Sequence, residues 1–308
     1  ANVDAVTAGN AILFLQKAKR KIRELAYNFD SDSYVAPDLT ILNDTVTDSG
    51  IVQMEWQQEP DNILWCVRED GQLAALTYQR SENVVSWHRH ILGGAFGSGN
   101  SVVESIASIS GDLNEDELWC IVKRTVNGAT VRYVECFSDF DFDETASTDF
   151  KFLDSHLSYS GSATTTLSGL SHLQGQTVSI LADGSVHSYK VVNGSGQITL
   201  DAVPTTYVEV GLNYTPTIKT MPVELKLPSG NTVGQKKRIV EASALLYLSQ
   251  NLTLDAKDFA FTAASFFTGK KRRKPMLGYD REGQLTFSQS APLFFTLLGI
   301  EYKVSVGQ

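Results

Sequence analysis

Apolar and β-branched residues alternate with polar ones along much of the chain, in short runs that end at Gly, Asn or Asp. Period-two runs between such turn residues predict β-strands. One run, Ile63 to Arg68, leads through Asp70-Gly71 into a second run, Leu73 to Tyr78. The same order returns at Leu118 to Val122, Asn127-Gly128 and Thr130 to Val134. Asp-Gly and Asn-Gly favour two-residue type I′ turns, so each copy is predicted to be a β-hairpin.

The two hairpins are spaced like structural repeats. Trp65 and Trp119 hold the same place in the two copies, about 54 residues apart, and a further Asp183-Gly184 turn follows after a similar interval. Repeats of roughly 40 to 50 residues with several strands are typical of β-propeller blades. Hairpins in any all-β protein can also fall at such intervals by chance. We therefore predict an all-β fold with little helix: propeller-like blade modules, incomplete in this chain, followed by small β-barrel or sandwich domains.

The chain is long enough for more than one domain, because it has 308 residues and single domains usually have roughly 100 to 200. An acidic stretch, Ser138 to Asp149, marks the best boundary. The predicted domains are blade-like modules over 1–140, a small β-barrel or sandwich over 141–221 and a C-terminal β domain over 222–308. Ala11 to Tyr27 predicts a hairpin, with a short amphipathic helix as the alternative. For Ile239 to Leu248, periodicity leaves strand and helix equally open.

The charge is unevenly distributed. The net charge is −9, from 35 acidic and 26 basic residues, and half of the basic residues fall in three clusters. These clusters are Lys17, Lys19, Arg20, Lys21 and Arg23; Lys236, Lys237 and Arg238; and Lys270, Lys271, Arg272, Arg273 and Lys274. The last cluster is expected in a turn between strands. It could grip phosphates or an acidic partner, or it could be a solvated loop tip.

Two groups of residues resemble metal or redox sites without completing one. His88 and His90 share one face of a predicted strand, a spacing that can hold a metal, but no nearby residues supply further ligands. Cys66, Cys120 and Cys136 form neither a CxxC pair nor an even disulfide framework, so we expect buried thiols. No metal or other cofactor is predicted.

No set of residues predicts catalysis. The glycine-rich loop Gly93 to Gly99 lacks the order of a phosphate-binding loop, and Thr268 to Lys271 lacks the upstream glycine of a Walker motif. There is no GxSxG sequence, and Asp139 and Asp141 fit a solvated linker better than an acid–base pair. The chain is therefore not expected to be an enzyme. It also has no apolar run long enough to cross a bilayer and no secretion signal, so no membrane segment is expected.

A series of phrases spread over nearly the whole chain resembles a family of bacteriophage virion proteins. The family includes the tail nozzle proteins, also called tail tubular protein B, of short-tailed phages. The phrases are Tyr34 to Thr40, Trp56 to Pro60, Leu64-Trp65, Asp70-Gly71, Leu76 to Tyr78, Trp87 to His90, Glu117 to Trp119, Arg124 to Gly128, Tyr133 to Glu135, Phe152 to Asp154 and Gly169 to Gly175.

The resemblance implies a structural protein of the phage tail, made in the bacterial cytoplasm and located in the virion. Such proteins form a ring around the channel through which DNA leaves. The expected partners are further copies of the chain, as a hexamer, other tail proteins such as the adaptor, and exiting DNA in transient, non-specific contact. The first and third basic clusters are the candidate subunit or DNA contacts. Relatives are typically longer at the N-terminus, and this chain has only two or three blade-like units, fewer than the roughly four of a closed propeller. The chain is therefore expected either to be a C-terminal portion of a longer protein or to have its ring of blades completed by other elements.

Two other classes of function compete with this interpretation. A β-rich carbohydrate- or receptor-binding module of a virion would use exposed aromatic rings, and Trp56, Trp87 and Tyr159 are candidates, although they could equally be buried. An enzyme on a propeller scaffold would need a cleft with perturbed carboxylates or a metal. A nozzle should show no saturable sugar binding, which separates it from the binding module.

Overall fold

The computed structural model describes residues 2–111, 115–138, 151–201, 205–228, 230–262, 265–275 and 278–307. Over these ranges the regular structure is antiparallel β-sheet, with three single-turn 3-10 helices at Asp44–Val46, Arg80–Glu82 and Ser171–Leu173. The all-β fold is therefore confirmed. The chain forms two compact units, Ala1–Phe140 and Asp141–Gln308. The acidic stretch proposed as a domain boundary lies, from Asp139 onward, outside the described residues.

The first unit consists of antiparallel strands that follow one another along the chain. They are Val6–Ala8 (β1), Ala11–Leu15 (β2), Ile22–Asn28 (β3), Ser33–Val35 (β4), Ile51–Gln57 (β5), Ile63–Arg68 (β6), Leu73–Gln79 (β7), Val84–His90 (β8), Ala95–Phe96 (β9), Gly99–Asn100 (β10), Val102–Ser110 (β11), Asp116–Val126 (β12) and Ala129–Cys136 (β13). They form the sheets β1-β2-β3-β4, β5-β6-β7-β8 and β11-β12-β13, with a small β9-β10 hairpin. Each larger sheet is a meander, the strand order of a propeller blade.

The middle sheet of this unit is buried on both faces. In β6, Leu64 and Cys66 belong to the apolar cluster shared with the first sheet. Trp65 and Val67 belong to the cluster shared with β11 and β12. Successive side chains of a strand point to opposite faces, so the continuous apolar run of β6 supplies two cores at once. The first copy of the repeated sequence therefore lies in a sheet that is packed between its neighbours.

Both predicted repeat hairpins form, but their turns differ. Asn127 and Gly128 have φ of 49° and 75°, and Val126 pairs with Ala129, which is the expected two-residue turn. At the first copy only Gly71 has positive φ, at 78°. The type I′ prediction for Asp70-Gly71 is therefore wrong.

The turn of the first copy is longer because polar side chains hold it. The amide of Arg68 donates to the carbonyl of Gln72, so Glu69 to Gly71 form a three-residue loop. The Asp70 carboxylate accepts hydrogen bonds from the Gln72 amide at 3.1 Å and from the buried Arg68 guanidinium at 2.8 Å. These contacts hold Asp70 outside the left-handed conformation that a type I′ turn requires.

The second unit is built from strands of 2 to 13 residues. They are Asp154–Thr164 (β14), Thr166–Leu167 (β15), Thr177–Ala182 (β16), Ser185–Val191 (β17), Ile198–Thr199 (β18), Thr205–Leu212 (β19), Thr217–Lys219 (β20), Lys226–Leu227 (β21), Gly230–Asn231 (β22), Lys237–Ser249 (β23), Thr253–Leu254 (β24), Lys257–Asp258 (β25), Phe267–Arg273 (β26), Thr286–Ser288 (β27) and Thr296–Val306 (β28). The predicted Asp183-Gly184 turn joins β16 to β17.

The sheets of the second unit are open. Their orders are β14-β19-β16-β17, β20-β27-β24-β25 and β26-β23-β28, with two-stranded pairs β15-β18 and β21-β22. The described strands close no barrel, so the barrel alternative is not realised there. One apolar cluster lies under the β14 sheet and a second under the two C-terminal sheets. The ambiguous run Ile239 to Leu248 is part of strand β23, and the boundary at 221/222 stays a prediction.

Candidate functional site

The first basic cluster lies where β2 turns into β3, and two of its cations are bound within the chain. Lys19 Nζ lies 2.7 Å from Glu69 Oε1, and Lys21 Nζ lies 2.8 Å from Asp38 Oδ2. The pKa of Asp38 falls to about 2: burial opposes the shift, but hydrogen bonds from Lys21 and Thr40 outweigh it. These lysines therefore fix the turn against neighbouring segments.

The remaining cations of this cluster differ in their surroundings. Arg23 is half-buried and donates from Nη1 to the Ala36 carbonyl at 2.6 Å. Lys17 and Arg20 are exposed at the turn and make no ion pair within the described residues. The competing prediction of a helix at 11–27 is not realised, because β2 and β3 pair directly. Of the five candidate contacts here, Lys17 and Arg20 are the most available to a partner.

The third basic cluster lies in a strand, so the prediction of a turn is wrong. Lys270 to Arg273 form the second half of β26, an edge strand paired with β23 in the register Leu245 with Lys270 and Ala242 with Arg273. Because strand side chains alternate, the five cations divide between two faces. Lys270, Arg272 and Lys274 are exposed, whereas the other two are half-buried.

Contacts within the second unit use much of this charge. Lys270 forms an ion pair with Glu301, and this hydrogen bond lowers the pKa of the Glu301 carboxyl. The half-buried Lys271 Nζ lies 4.5 Å and 4.1 Å from the ring centres of Phe261 and Phe267. Cations on an edge strand also oppose pairing with another strand. The run is thus a structural edge strand with a smaller free charge than its sequence suggests.

The second basic cluster contains a buried ion pair that the sequence does not reveal. Lys237 is fully buried, and its Nζ lies 2.8 Å from Glu224 Oε1 and 2.6 Å from the Val223 carbonyl. A buried ammonium group requires such partners because its desolvation is costly. Its neighbours Lys236 and Arg238 are exposed, as expected for a solvated cluster.

His88 and His90 do lie on one face of β8, and they contact each other instead of forming a larger cluster. His88 Nδ1 lies 2.8 Å from His90 Nε2, and the ring of His90 lies 5.0 Å from Trp65 and 6.1 Å from Phe137. Burial, and secondarily the charge of His88, lowers the pKa of His90 to about 3. The described residues include no group of three or more side chains suited to hold a metal ion. The pair is a packed, neutral contact.

The cysteine prediction is correct at two positions and wrong at the third. Cys66 and Cys120 are buried at the equivalent places of the repeat, and burial raises the pKa of Cys66. Cys136 is exposed. It is the last residue of β13, the edge strand of its sheet, where no further strand of the described chain covers it.

The three aromatic residues considered for ligand stacking have different roles. Trp87 donates from Nε1 to the Leu39 carbonyl at 2.9 Å, which fixes it in the first unit. Tyr159 is partly buried against the apolar cluster of its sheet, and its hydroxyl donates to the Ser162 carbonyl at 2.7 Å. Trp56 is half-buried and borders an open cleft. Among the three, Trp56 is the one placed for contact with a ligand.

The Trp56 cleft has a volume of ≈ 500 Å³ and lies between the β1–β2 turn and the ends of β5 and β7. Its lining residues are Ala8, Gly9, Asn10, Trp56, Asn62, Tyr78, Gln79, Arg80 and Ser81. The ring of Tyr78 packs edge-on against Trp56, with centres 6.4 Å apart. Sequence analysis singled out Trp56 but not the amide side chains, because they come from three separate segments.

Comparisons with known proteins leave the family open. The sequence matches no protein-family model and no curated protein. Among solved structures, a GH31 alpha-xylosidase from Xanthomonas citri is similar at 12% identity and a TM-score of 0.14. The alignment covers 97% of this chain and 35% of the xylosidase, and a similarity at this level carries no argument about function. The described residues include no helix with the length and apolar character needed to span a membrane.

Proposed function

We propose that this protein is a structural component of a phage tail, a nozzle or tubular protein. In this proposal several copies, six by the resemblance, form a ring around the DNA ejection channel in the virion. The adaptor and other tail proteins would be its neighbours. The sequence phrases that resemble tail nozzle proteins are the origin of the proposal, and one structural observation supports it.

That observation is the stack of three consecutive blade-like sheets in the first unit. The sheet β5–β8 is buried on both faces between its neighbours, as an internal blade is. The first and third sheets each contact one such neighbour within the described unit, and the third has three strands where the others have four. Propellers typically need at least about four blades to close. Outer faces and strand edges of this incomplete stack are thus suited to contact other copies or other tail proteins.

The charge distribution is compatible with a channel through which DNA slides. Each phosphate neutralised by Lys or Arg adds salt-dependent affinity, so a conduit with many free cations would retain its cargo. Here Lys19, Lys21 and Lys270 are paired with carboxylates of the same chain. Because these lysines are paired, fewer free positive charges interrupt the acidic character of the chain, whose net charge is −9.

Light scattering of the purified chain over a range of concentration and salt tests the proposal. We expect a species near six subunits, with an open axis visible by negative-stain electron microscopy. A monomer at every concentration, or an oligomer without an axial opening, would count against a self-assembling ring.

A further inference from the structure

The lining of the Trp56 cleft combines an aromatic ring with side-chain amides. Trp56 is half-buried, and its indole N–H makes no hydrogen bond within the described residues. Tyr78 supports the ring from one side, with the two ring planes 73° apart. A supported, partly exposed indole offers a flat apolar surface and a single donor at its edge. That surface matches a ligand with one apolar face and polar groups around it.

Two amides of the cleft bond to each other, and the third lies beside Arg80. Asn62 Nδ2 donates to Gln79 Oε1 at 2.8 Å, which leaves Asn62 Oδ1 and Gln79 Nε2 without a partner in the described chain. Asn10 Oδ1 accepts from Arg80 Nη1 at 3.5 Å, and its Nδ2 is likewise unbonded there. The amides of the cleft therefore present one acceptor and two donors, beside the indole N–H of Trp56. A ligand with several hydroxyl groups, each both donor and acceptor, can satisfy this set.

The electrostatics of the cleft favour an uncharged ligand. Arg80 is the one charged residue of the lining. Its Nε lies 2.8 Å from Glu24 Oε1, and Glu24 is buried. The guanidinium charge is thus compensated inside the protein, so a phosphate or carboxylate would gain little from it. Nucleic acid, whose binding depends on phosphate neutralisation, fits this cleft poorly.

We propose that the Trp56 cleft binds an uncharged saccharide. A pyranose ring has an apolar face of C–H groups that packs on an indole, and hydroxyl groups at its edge that pair with amides. The cleft volume of ≈ 500 Å³ lies within the usual range for small-molecule sites, about 300–1,000 Å³. Aromatic packing with a few placed polar groups is also how such sites obtain specificity. The cleft lies within the first unit of a single chain, so binding there does not require the ring. A nozzle that acts only as a conduit is expected to bind no sugar, so saturable binding would show a saccharide-recognition role that the conduit alone does not explain.

Saturation-transfer NMR of the full chain tests the site. The probes are neutral mono- and oligosaccharides of glucose, galactose, mannose and N-acetylglucosamine, with glucuronic acid and inorganic phosphate as charged comparisons. We expect saturable binding of at least one neutral saccharide at millimolar concentrations or below. We also expect Gln79→Ala to weaken it about three- to tenfold, since one hydrogen bond is lost.

Gln58→Ala is the matched control, because Gln58 is an exposed glutamine of the same unit outside the cleft. It should leave the affinity unchanged, and an unaltered urea midpoint for Gln79→Ala would show that the variant is folded. No saturable binding across the panel, or equal affinity for both variants and the native chain, would overturn the proposal. The mass measured by light scattering reports on the ring separately, so the two proposals can fail independently.

Discussion

At the scale of single residues, buried polar groups have specific roles that their sequence positions do not reveal. Arg124 is almost fully buried, bonded to the Gly93 carbonyl at 2.8 Å and doubly to the carboxylate of Glu135. It thereby ties the loop after β8 to β12 and β13. Removal of Glu135 would take away two of these three hydrogen bonds from a buried guanidinium. A count of charges along the sequence does not distinguish Arg124 from a surface cation.

The His88–His90 contact makes stability depend on pH. The pKa of His90 is lowered to about 3 by burial and by His88, while an unfolded histidine titrates near about 6.5. The unfolded chain therefore takes up the proton first as pH falls, and stability is lost below about pH 6.5. When the pH is lowered from about 7.5 to about 5, we expect the unfolding free energy of the native chain to fall by about 2 kcal/mol more than that of His90→Gln.

Urea unfolding at the two pH values measures this difference. His187→Gln is the control, because that histidine lies in the second unit on the edge strand β17. Parallel pH profiles for the native chain and His90→Gln would mean that the ring of His90 accepts a proton without cost in the folded state.

At the scale of elements, the two repeat hairpins are similar in sequence but differ in their structural role. The first hairpin turn contacts the next sheet: the Gly71 carbonyl accepts from the Val103 amide at 2.8 Å. A Cβ at Gly71 would lie 2.5 Å from Val102 Cγ1, whereas a Cβ at Gly128 would meet nothing within 4 Å. The first turn therefore packs against the next sheet, whereas the second turn has open space beside its glycine.

The pair of glycines provides a direct comparison, since their φ values are 78° and 75°. Gly128→Ala should cost about 1–2 kcal/mol of unfolding free energy, from backbone strain alone. Gly71→Ala should cost about 2–5 kcal/mol, because overpacking against Val102 is added to the same strain. Urea denaturation measures both, and equal losses would show that the sheets separate easily at this turn.

At the scale of the whole molecule, the proposed DNA conduit requires that an acidic chain with basic clusters contact DNA only weakly. Of the candidate contacts in the first cluster, Lys17 and Arg20 are free within the described residues, whereas Lys19 and Lys21 are paired. Only unpaired cations can release counterions from DNA without first breaking an internal contact. Weak binding carried by a few side chains is what the proposed conduit requires.

Fluorescence anisotropy with a labelled duplex at several salt concentrations tests this distinction. Lys17→Gln with Arg20→Gln should flatten the slope of log affinity against log salt by about 0.9 for each lost phosphate contact. Lys19→Gln with Lys21→Gln removes the same charge from the same turn and should change the slope less. If both double variants behave alike, net charge governs the contact and the ion pairs do not matter.

The sequence by itself determined the all-β class, the two repeated hairpins and the placement of His88 and His90 on one face of a strand. These follow from strand periodicity and from turn residues, which act over a few neighbouring positions. Only the tertiary structure decided that Lys270 to Arg273 form an edge strand, since five consecutive cations have no apolar alternation of their own. Pairing with β23 and packing of Lys271 on two phenylalanine rings fix that conformation. The Trp56 cleft is likewise tertiary, because Asn10 of the β1–β2 turn reaches Asn62 and Gln79, at the open end of the β6–β7 hairpin, only when the first two sheets pack together.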